Sequence, residues 1–566
     1  GTAWAGGAAV EQGRQAAMKA DPGELLLTPE TWREVRGAFA TETVGRLKRV
    51  TRHRGGRRRR PTWGLTHSHD VLVARDLALT QLVSAARRVS RGAPLMVTAV
   101  HGAAGCGKSS LMAALIEQLR GEEVGWRLEA ARCTAIGLPR PYEPFADILH
   151  EHAGSGDTRR LAQLAGLTDR SSSGGGDAQL RRRLSALTRL MGMGADETVQ
   201  LRAARPATDA ERDSAFEAYV AFLKGLARAG PTAIVIDDLH HARQTTLDLL
   251  DHVLRACADE SILVVLGLDA NRADELLGRL PVGPTRLVAI EVPPLDVHET
   301  RAMMSSLLGD AEVPAELAAQ VCEFTDGLPA RVEEVIDSLR DEGAIVRKPD
   351  GWALRTGTDI GAMLTRSLGE LVRSRIGRLP PAERELIEAL VAASAPVPRP
   401  MLAAMLGRTV DDTEIEALCR KGLVIRSTKR RFGAEPELRL RKRSVSQVVE
   451  HGHHPPRMRA LHERAARWMM DFTGARPPGF GALLARHFQL AGDDAQATRY
   501  LLKAGQEAMR AFANRDALEA MTAAVETAEA WCAKSTDVEA AALLLEAHIG
   551  VAEVGFHVGE LDASME

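Results

Sequence analysis

Between about residues 70 and 345, short apolar runs alternate with longer amphipathic stretches. The runs are LMVTAV (95–100), VGWRLEA (124–130), AIVID (233–237), ILVVLGL (262–268) and LVAIE (287–291). They are dense in β-branched residues and do not alternate apolar with polar. That is how strands covered on both faces of a parallel sheet read. Helical segments between them make βαβ units. About 100 residues separate the second and third runs, too many for one crossover, so several helices belong there.

From about residue 360 the pattern is helical almost throughout. LPPAERELIEALVAAS opens on Pro, then acids, then an apolar stripe, as helix N-termini do. EIEALCRKGLVIRST reads as a helix that ends at Gly422 and turns into a strand, and ELRLRKR as the second strand of that hairpin. Three helices and a β-hairpin make a winged-helix pattern. From about 481 paired helices follow: ALLARHFQLAGD, ATRYLLKAGQEAMRAFAN, DALEAMTAAVETAEAW. Tyr500, Ala504 and Ala508 lie one helical turn apart, so a small-residue stripe faces a neighbour. Stacked pairs suggest a solenoid, over a stretch too short to set its period.

Composition narrows the picture. A chain of 566 residues has room for about three or four domains of ~150 residues. Charged residues are 26%, hydrophobic residues 45% and the formal net charge is -2, so no overall pull toward nucleic acid or membrane is expected. Six cysteines are scattered without a CxxC pair, which indicates neither a zinc site nor a disulfide framework and fits a reducing cytosol. Uninterrupted apolar runs such as Ile262 to Leu268 fall short of the ~20 residues of a membrane span, and no signal peptide is visible. The expectation is a cytoplasmic protein without a membrane partner. The chain opens on Gly1 and closes on Glu566 inside a helical pattern, so both ends are expected to be cut from something longer.

Several clusters have bland readings. RHRGGRRRRPTWG reads as a solvated basic linker, because no aromatics interleave with the arginines. SSSGGG (171–176) reads as a hinge or loop. His67 and His69, and His451, His453 and His454, lack the spaced Cys or acidic partners of a metal site and read as surface loops. His240 and His241 follow two acids at a strand end and are expected to shape a site or an interface.

The stretch HGAAGCGKSS carries the chemistry. Gly102-x-x-x-x-Gly107-Lys108-Ser109 follows one apolar run and precedes the helical SLMAALIEQLR, the context a P-loop requires. Backbone N–H groups can wrap a phosphate only where side chains stay clear, hence Ala103, Ala104, Gly105 and Cys106. The following helix N-terminus adds its dipole. Lys108 is expected to meet the β- and γ-phosphates, Ser109 to give an oxygen to Mg²⁺, and Ser110 to lie near the α-phosphate. The second half of such a site is an acid ending a buried strand, and AIVIDDLHHA supplies it. Asp237 is expected to hold Mg²⁺ through water, and Asp238 to orient or deprotonate the attacking water.

Together, the P-loop, IVIDDLHHA and the Gly327-Leu328-Pro329 turn of FTDGLPARVEEVI resemble STAND ATPases, AAA-related signal-transduction switches. LVARDLALTQL (72–82) is similar to the family's entry motif, with Ala74 for the usual Gly and Arg75 and Asp76 kept. ARCTAIGLPRPYEPFADIL is similar to its Arg-x-Cys and Pro-Tyr segment. SLGELVRSRIGRLPPAERELI resembles the start of the winged-helix module, and the tail resembles tetratricopeptide-like repeats. The resemblance spans about residues 70 to 530. It implies that Arg75 and Pro329 belong to the nucleotide site, with Pro329 touching adenine. It departs at Lys442, where the family often has a nucleotide-reading His, and at the end of the fourth strand, where Asp269, Asn271 and Arg272 compete for the polar role. DPGELLLTPETWREVRGAFATE (21–42) is similar to the closing segment of class III nucleotidyl cyclase domains. The family's catalytic Asn and Arg then fall on Glu11 and Gln15, which cannot stabilise a transferring phosphate.

The expected fold is an α/β P-loop NTPase with an AAA-like parallel sheet, then an all-α winged-helix module and an α-helical repeat solenoid. The expected domains are a cyclase-like remnant (1–50), a basic linker (51–70), an ATPase domain with helical lid (71–355), a winged-helix-like module (356–475) and incomplete tetratricopeptide-like repeats (476–566). The resemblance implies an ATP-binding, slowly hydrolysing switch with ATP or ADP and Mg²⁺ as cofactors, and a protein partner or signal ligand at the repeats. Self-association is a further expectation. DNA binding by the winged helix, with its basic RKGLVIRSTKRRF and LRLRKR, is the rival reading, and a regulated pseudo-cyclase a third.

Overall fold

The computed structural model describes residues 18, 20, 24–28, 39–44, 47–53, 72–134, 140–153, 161, 176–190, 208–308, 312–348, 351–355, 367–427, 432–433, 435–452, 455–473 and 479–558. The chain divides into two compact units, Gly1–Thr62 and Trp63–Glu566. The first holds an antiparallel sheet in which β3 (Leu47–His53) lies between β1 (Leu26–Leu27) and β2 (Phe39–Val44). Residues 51–53, assigned to the basic linker by composition, thus belong to a strand. The ladder with β2 continues past a bulge at Ala40/Thr41 as far as Phe39 and His53, so backbone pairing overrides the basic composition there. Glu11, Gln15, His67 and His69 lie outside the described residues, as do His453 and His454.

The second unit is built on a five-stranded sheet. Its order is β5 (Arg127–Arg132), β6 (Thr232–Asp237), β7 (Ile262–Asp269), β4 (Met96–Gly102), β8 (Leu287–Glu291), and every pair is parallel. The missing in/out alternation has a direct cause. Met96, Val100, Val235 and Val265 pack on one face with Leu82, Leu111 and Leu115. Val97, Ala99, Ile236 and Leu266 pack on the other with Phe145, Phe222 and Leu249. Both faces are covered, so consecutive residues are equally apolar. β5 starts later than the run at 124–130 because Gly125 turns the chain with φ 74°. Among the described residues, the long gap before β6 holds the helices Glu143–Ala153, Gly176–Leu190 and Asp209–Arg228.

Three helices, Val297–Leu307, Ala315–Thr325 and Pro329–Asp341, follow the sheet. They enclose a separate core of Leu295, Met304, Val321, Val332 and Ile336. The third is the lid helix below. Downstream, helices Pro381–Ala393, Arg399–Leu406 and Asp412–Arg420 surround a small antiparallel sheet. Val424–Ser427 and Glu437–Leu440 pair as the expected hairpin, and Val397–Pro398 adds a third strand. Helices Arg443–Gly452 and Pro455–Asp471 lead into four further helices, Phe480–Ala491, Asp494–Arg510, Asn514–Cys532 and Val538–Val558. The small-residue stripe does meet neighbours: Ala504 packs with Ala482 and Ala520.

Val538–Val558 is, among the described residues, the helix long and apolar enough to cross a membrane, with mean hydropathy 1.4 over an 18-residue window. A search for unbroken apolar runs misses it because Glu539, Glu546 and Glu553 interrupt it. Ala540, Ala547 and Val554 are buried, whereas Val538, Leu545, Ile549 and Phe556 stand exposed along it.

Candidate functional site

The loop between β4 and the helix Lys108–Gly121 closes on itself through three left-handed or extended glycines, Gly102 (φ 156°), Gly105 (φ 84°) and Gly107 (φ 101°). Gly107 caps the helix without a side-chain hydrogen bond. The first N–H groups of the helix are therefore open to an anion. Ala103 and Ala104 keep side-chain bulk off the loop. Cys106 turns inward and is fully buried. The Lys108 ammonium sits at the loop, donating to the carbonyls of Gly102 (2.8 Å) and Ala103 (2.9 Å). Ser109 and Ser110 occupy the first helical turn, half-buried.

Asp237 ends β6 and is fully buried. Its Oδ2 accepts the Ser109 hydroxyl at 2.6 Å, and its Oδ1 accepts the Asp238 N–H at 2.9 Å. Burial, then the charge of Asp238, pushes the Asp237 carboxyl above the ordinary range, with Arg132 and the Ser109 hydroxyl opposing. A Ser hydroxyl and a carboxylate oxygen side by side are the hard donors Mg²⁺ prefers, so Ser109 and Asp237 fit that ion. Asp238 adopts a left-handed conformation (φ 53°), a strained backbone of the kind that collects at functional sites. It aims its carboxylate at Arg132 of β5, whose Nε donates to Asp238 Oδ2 at 2.7 Å.

Arg75 acts on the loop from behind. It is buried, and its guanidinium donates to the carbonyls of Cys106 (3.3 Å) and Pro293 (2.6 Å), tying the loop to the segment that leads into the lid. The preceding Ala74 has φ 55°, the left-handed region where glycine is cheaper. Pro329 begins the lid helix, and the next N–H, of Ala330, donates to Gly105 O at 3.1 Å. Gly327 is required by sterics: a Cβ there would lie 2.1 Å from Leu295 O.

The candidates for the polar strand end are engaged locally. Asp269 caps the helix Ala270–Arg279 by accepting from Asn271, and Arg272 donates to His240 O. His240 Nδ1 accepts the Asp269 N–H at 3.2 Å, which links the turn after β6 to the end of β7. Lys442 binds the lid helix through Asp337 (2.7 Å) and Glu334 (3.2 Å). The sequence motifs give Arg132, which directly precedes Cys133, no role. Its signal is positional: Arg132 is in register with Asp237 across β5 and β6.

Residues 71–265 match the family model of the AAA ATPase domain. An uncharacterized protein of Rhizobium meliloti (strain 1021) is 24% identical over 301 residues, covering 52% of this chain and 28% of that protein. This chain thus spans under a third of that relative's length. Among solved structures, it is similar to a Signal Transduction ATPase with Numerous Domains with a tetratricopeptide repeat sensor from Pyrococcus horikoshii. That match has TM-score 0.45 and 13% identity, over 88% of this chain and 67% of the other. Drosophila ORC bound to DNA gives TM-score 0.31 and 14% identity, over 75% and 99%. The matched stretch holds the glycine loop and the strand-end acids Asp237 and Asp238, and covers about a third of this chain.

Proposed function

We propose that this chain is a STAND-type switch, in which nucleotide at the P-loop sets how a winged-helix module and helical repeats pack on the ATPase domain. The observation that carries the reading is the lid helix. Its first turn bonds to the P-loop through Ala330 and Gly105. Its acidic face is gripped by the downstream module: Arg375 Nε meets Asp341 at 2.5 Å and Lys442 Nζ meets Asp337 at 2.7 Å, while Ser444 donates to Glu334. A ligand that displaces the first turn moves the other.

In this reading the loop amides Gly102 to Gly107, with Ala104, Gly105 and Cys106 among them, wrap the phosphates. Lys108 turns from its carbonyls to the β- and γ-phosphates, and Ser110 lies by the α-phosphate. Ser109 and Asp237 would hold Mg²⁺, which when bound would supply positive charge to a transferring phosphoryl group. Asp238 orients the attacking water, and Pro329 lies against the base. Arg75 supports the site by fixing the loop. The three helices with a three-stranded sheet at 356–475 act as the winged helix. The helix pairs that begin at Phe480 and Asn514 start 514 − 480 = 34 residues apart, the tetratricopeptide period, and offer a partner surface. Among the described residues, Lys421 pairs with Glu383 and Lys442 with Asp337 and Glu334, so part of the basic charge offered to DNA is neutralised within this chain, which favours the switch. The segment 1–50 is a cyclase-like remnant without its catalytic pair.

Thermal unfolding followed by tryptophan fluorescence tests this. Mg-ATP at 100 times its Kd should stabilise the full chain by about 2.7 kcal/mol. Lys108→Ala should abolish that gain while leaving the nucleotide-free midpoint within a few degrees. A wild-type chain that Mg-ATP does not stabilise overturns the proposal.

A further inference from the structure

Arg132 has no part in the reading above, yet it holds both acids. Its Nε and Nη2 lie 2.7 and 2.5 Å from Asp238 Oδ2, and Nε lies 3.8 Å from Asp237 Oδ2. That Asp237 oxygen is the one that accepts Ser109, so the guanidinium faces the very atoms suited to a metal ion. Among the described residues, Arg132 is the one Lys or Arg within 4.0 Å of either carboxylate; Lys108 points to carbonyls instead. Two adjacent carboxylates, one of them fully buried, need a positive neighbour. The Arg132 side chain is 40% exposed, so it has room to leave.

We propose that Arg132 is a built-in counter-ion that competes with Mg²⁺ for the Asp237–Asp238 pair. The proposal rests on the reading of this site as an ATPase centre. Mg²⁺ at Ser109 and Asp237 would stand beside the guanidinium, and like charges at that range repel. Arg132 would then let go as the ion enters, and a terminal phosphate held by the loop is an anion able to receive its planar fork. Departure also strips two N–H donors from Asp238, whose oxygen can then accept from water. Loading and readiness for hydrolysis become one event. ADP lacks the terminal phosphate that would hold Arg132 in its displaced position.

The test uses the full chain and MgCl₂ alone, before any nucleotide. Unfolding midpoints are titrated with Mg²⁺ for wild type, Arg132→Gln and Arg132→Lys. Without metal, Arg132→Gln should melt below wild type, and Mg²⁺ should restore it with an apparent affinity about tenfold tighter than wild type, because the competing cation is gone. Arg132→Lys, which keeps the charge but not the fork, should fall between, and decides the matter if the Gln variant does not fold. The same Mg²⁺ midpoint in all three chains overturns the counter-ion. Mg-ATP stabilisation of wild type is scored in parallel: its absence sinks the ATPase reading, while its presence beside unchanged Mg²⁺ midpoints sinks only the role of Arg132.

Discussion

His462 and His487 meet Nδ1 to Nδ1 at 3.1 Å between the helices Pro455–Asp471 and Phe480–Ala491. Both are buried, and His487 Nε2 has no hydrogen-bond partner among the described residues. Burial lowers His462 to about 4, and burial followed by the His462 neighbour lowers His487 to about 3. An unfolded histidine protonates near 6.5. Between about pH 6.5 and these lowered values the unfolded chain binds more protons than the folded one, so stability falls as pH falls. Each histidine contributes about 1.4 kcal/mol per pH unit in that window. Urea midpoints at about pH 7 and pH 5 should diverge in wild type, and His487→Leu should remove roughly half of the difference. At this same scale the P-loop residues were legible, because a fixed spacing between a strand and a helix forces one backbone geometry. Arg132 was not, because its partners are 105 and 106 positions away and only the sheet register joins them.

The lid helix shows what elements add. Arg375 is buried and serves Asp341, Glu334 and Asp337, and it also donates to Lys421 O. Against the effect of burial, Lys442 and Arg375 hold the Asp337 carboxyl below its usual value. Removing one member of a buried ion cluster leaves the others uncompensated, at a cost of about 3–5 kcal/mol. Arg375→Met should lower the unfolding free energy read from urea denaturation by that much, and Arg375→Lys by less. The helices themselves were legible from their stripes and caps. The two-residue strand Val397–Pro398 was not, since so short a strand has no period, and its pairing with Glu437–Leu440 arises from the tertiary fold. Nor does a stripe say which acids on a solvent-like face will be buried by a later module.

Contacts far apart in sequence join the two ends of the second unit. Asp516 accepts from Thr245 (2.6 Å) and Arg243 (3.0 Å), at the start of the helix that follows Asp237 and Asp238. Tyr142, of the Pro-Tyr segment, donates to Phe512 O at 2.9 Å, and the Arg189 guanidinium lies 3.9 Å from the Phe512 ring centre. Each buried hydrogen bond contributes about 1 kcal/mol net. Asp516→Ala combined with Tyr142→Phe should therefore loosen the C-terminal helices from the five-stranded sheet and its helices, read as a larger radius of gyration in X-ray scattering and faster proteolysis near 512. An unchanged radius would show that apolar packing alone holds the two together. Arg439, on the strand Glu437–Leu440, feels the site as well: burial and then the charge of Arg132 lower it to about 10.

The last helix has a practical consequence. Val538 is 84% exposed, Phe556 67%, Leu545 62% and Ile549 50%, so an oily ridge faces water while the protein is fully folded. Solvatochromic dyes will bind it and glow before any melting begins. The purified chain should also linger on phenyl resin and clump in ammonium sulfate. Leu545→Lys with Ile549→Glu should cure both habits without touching nucleotide uptake.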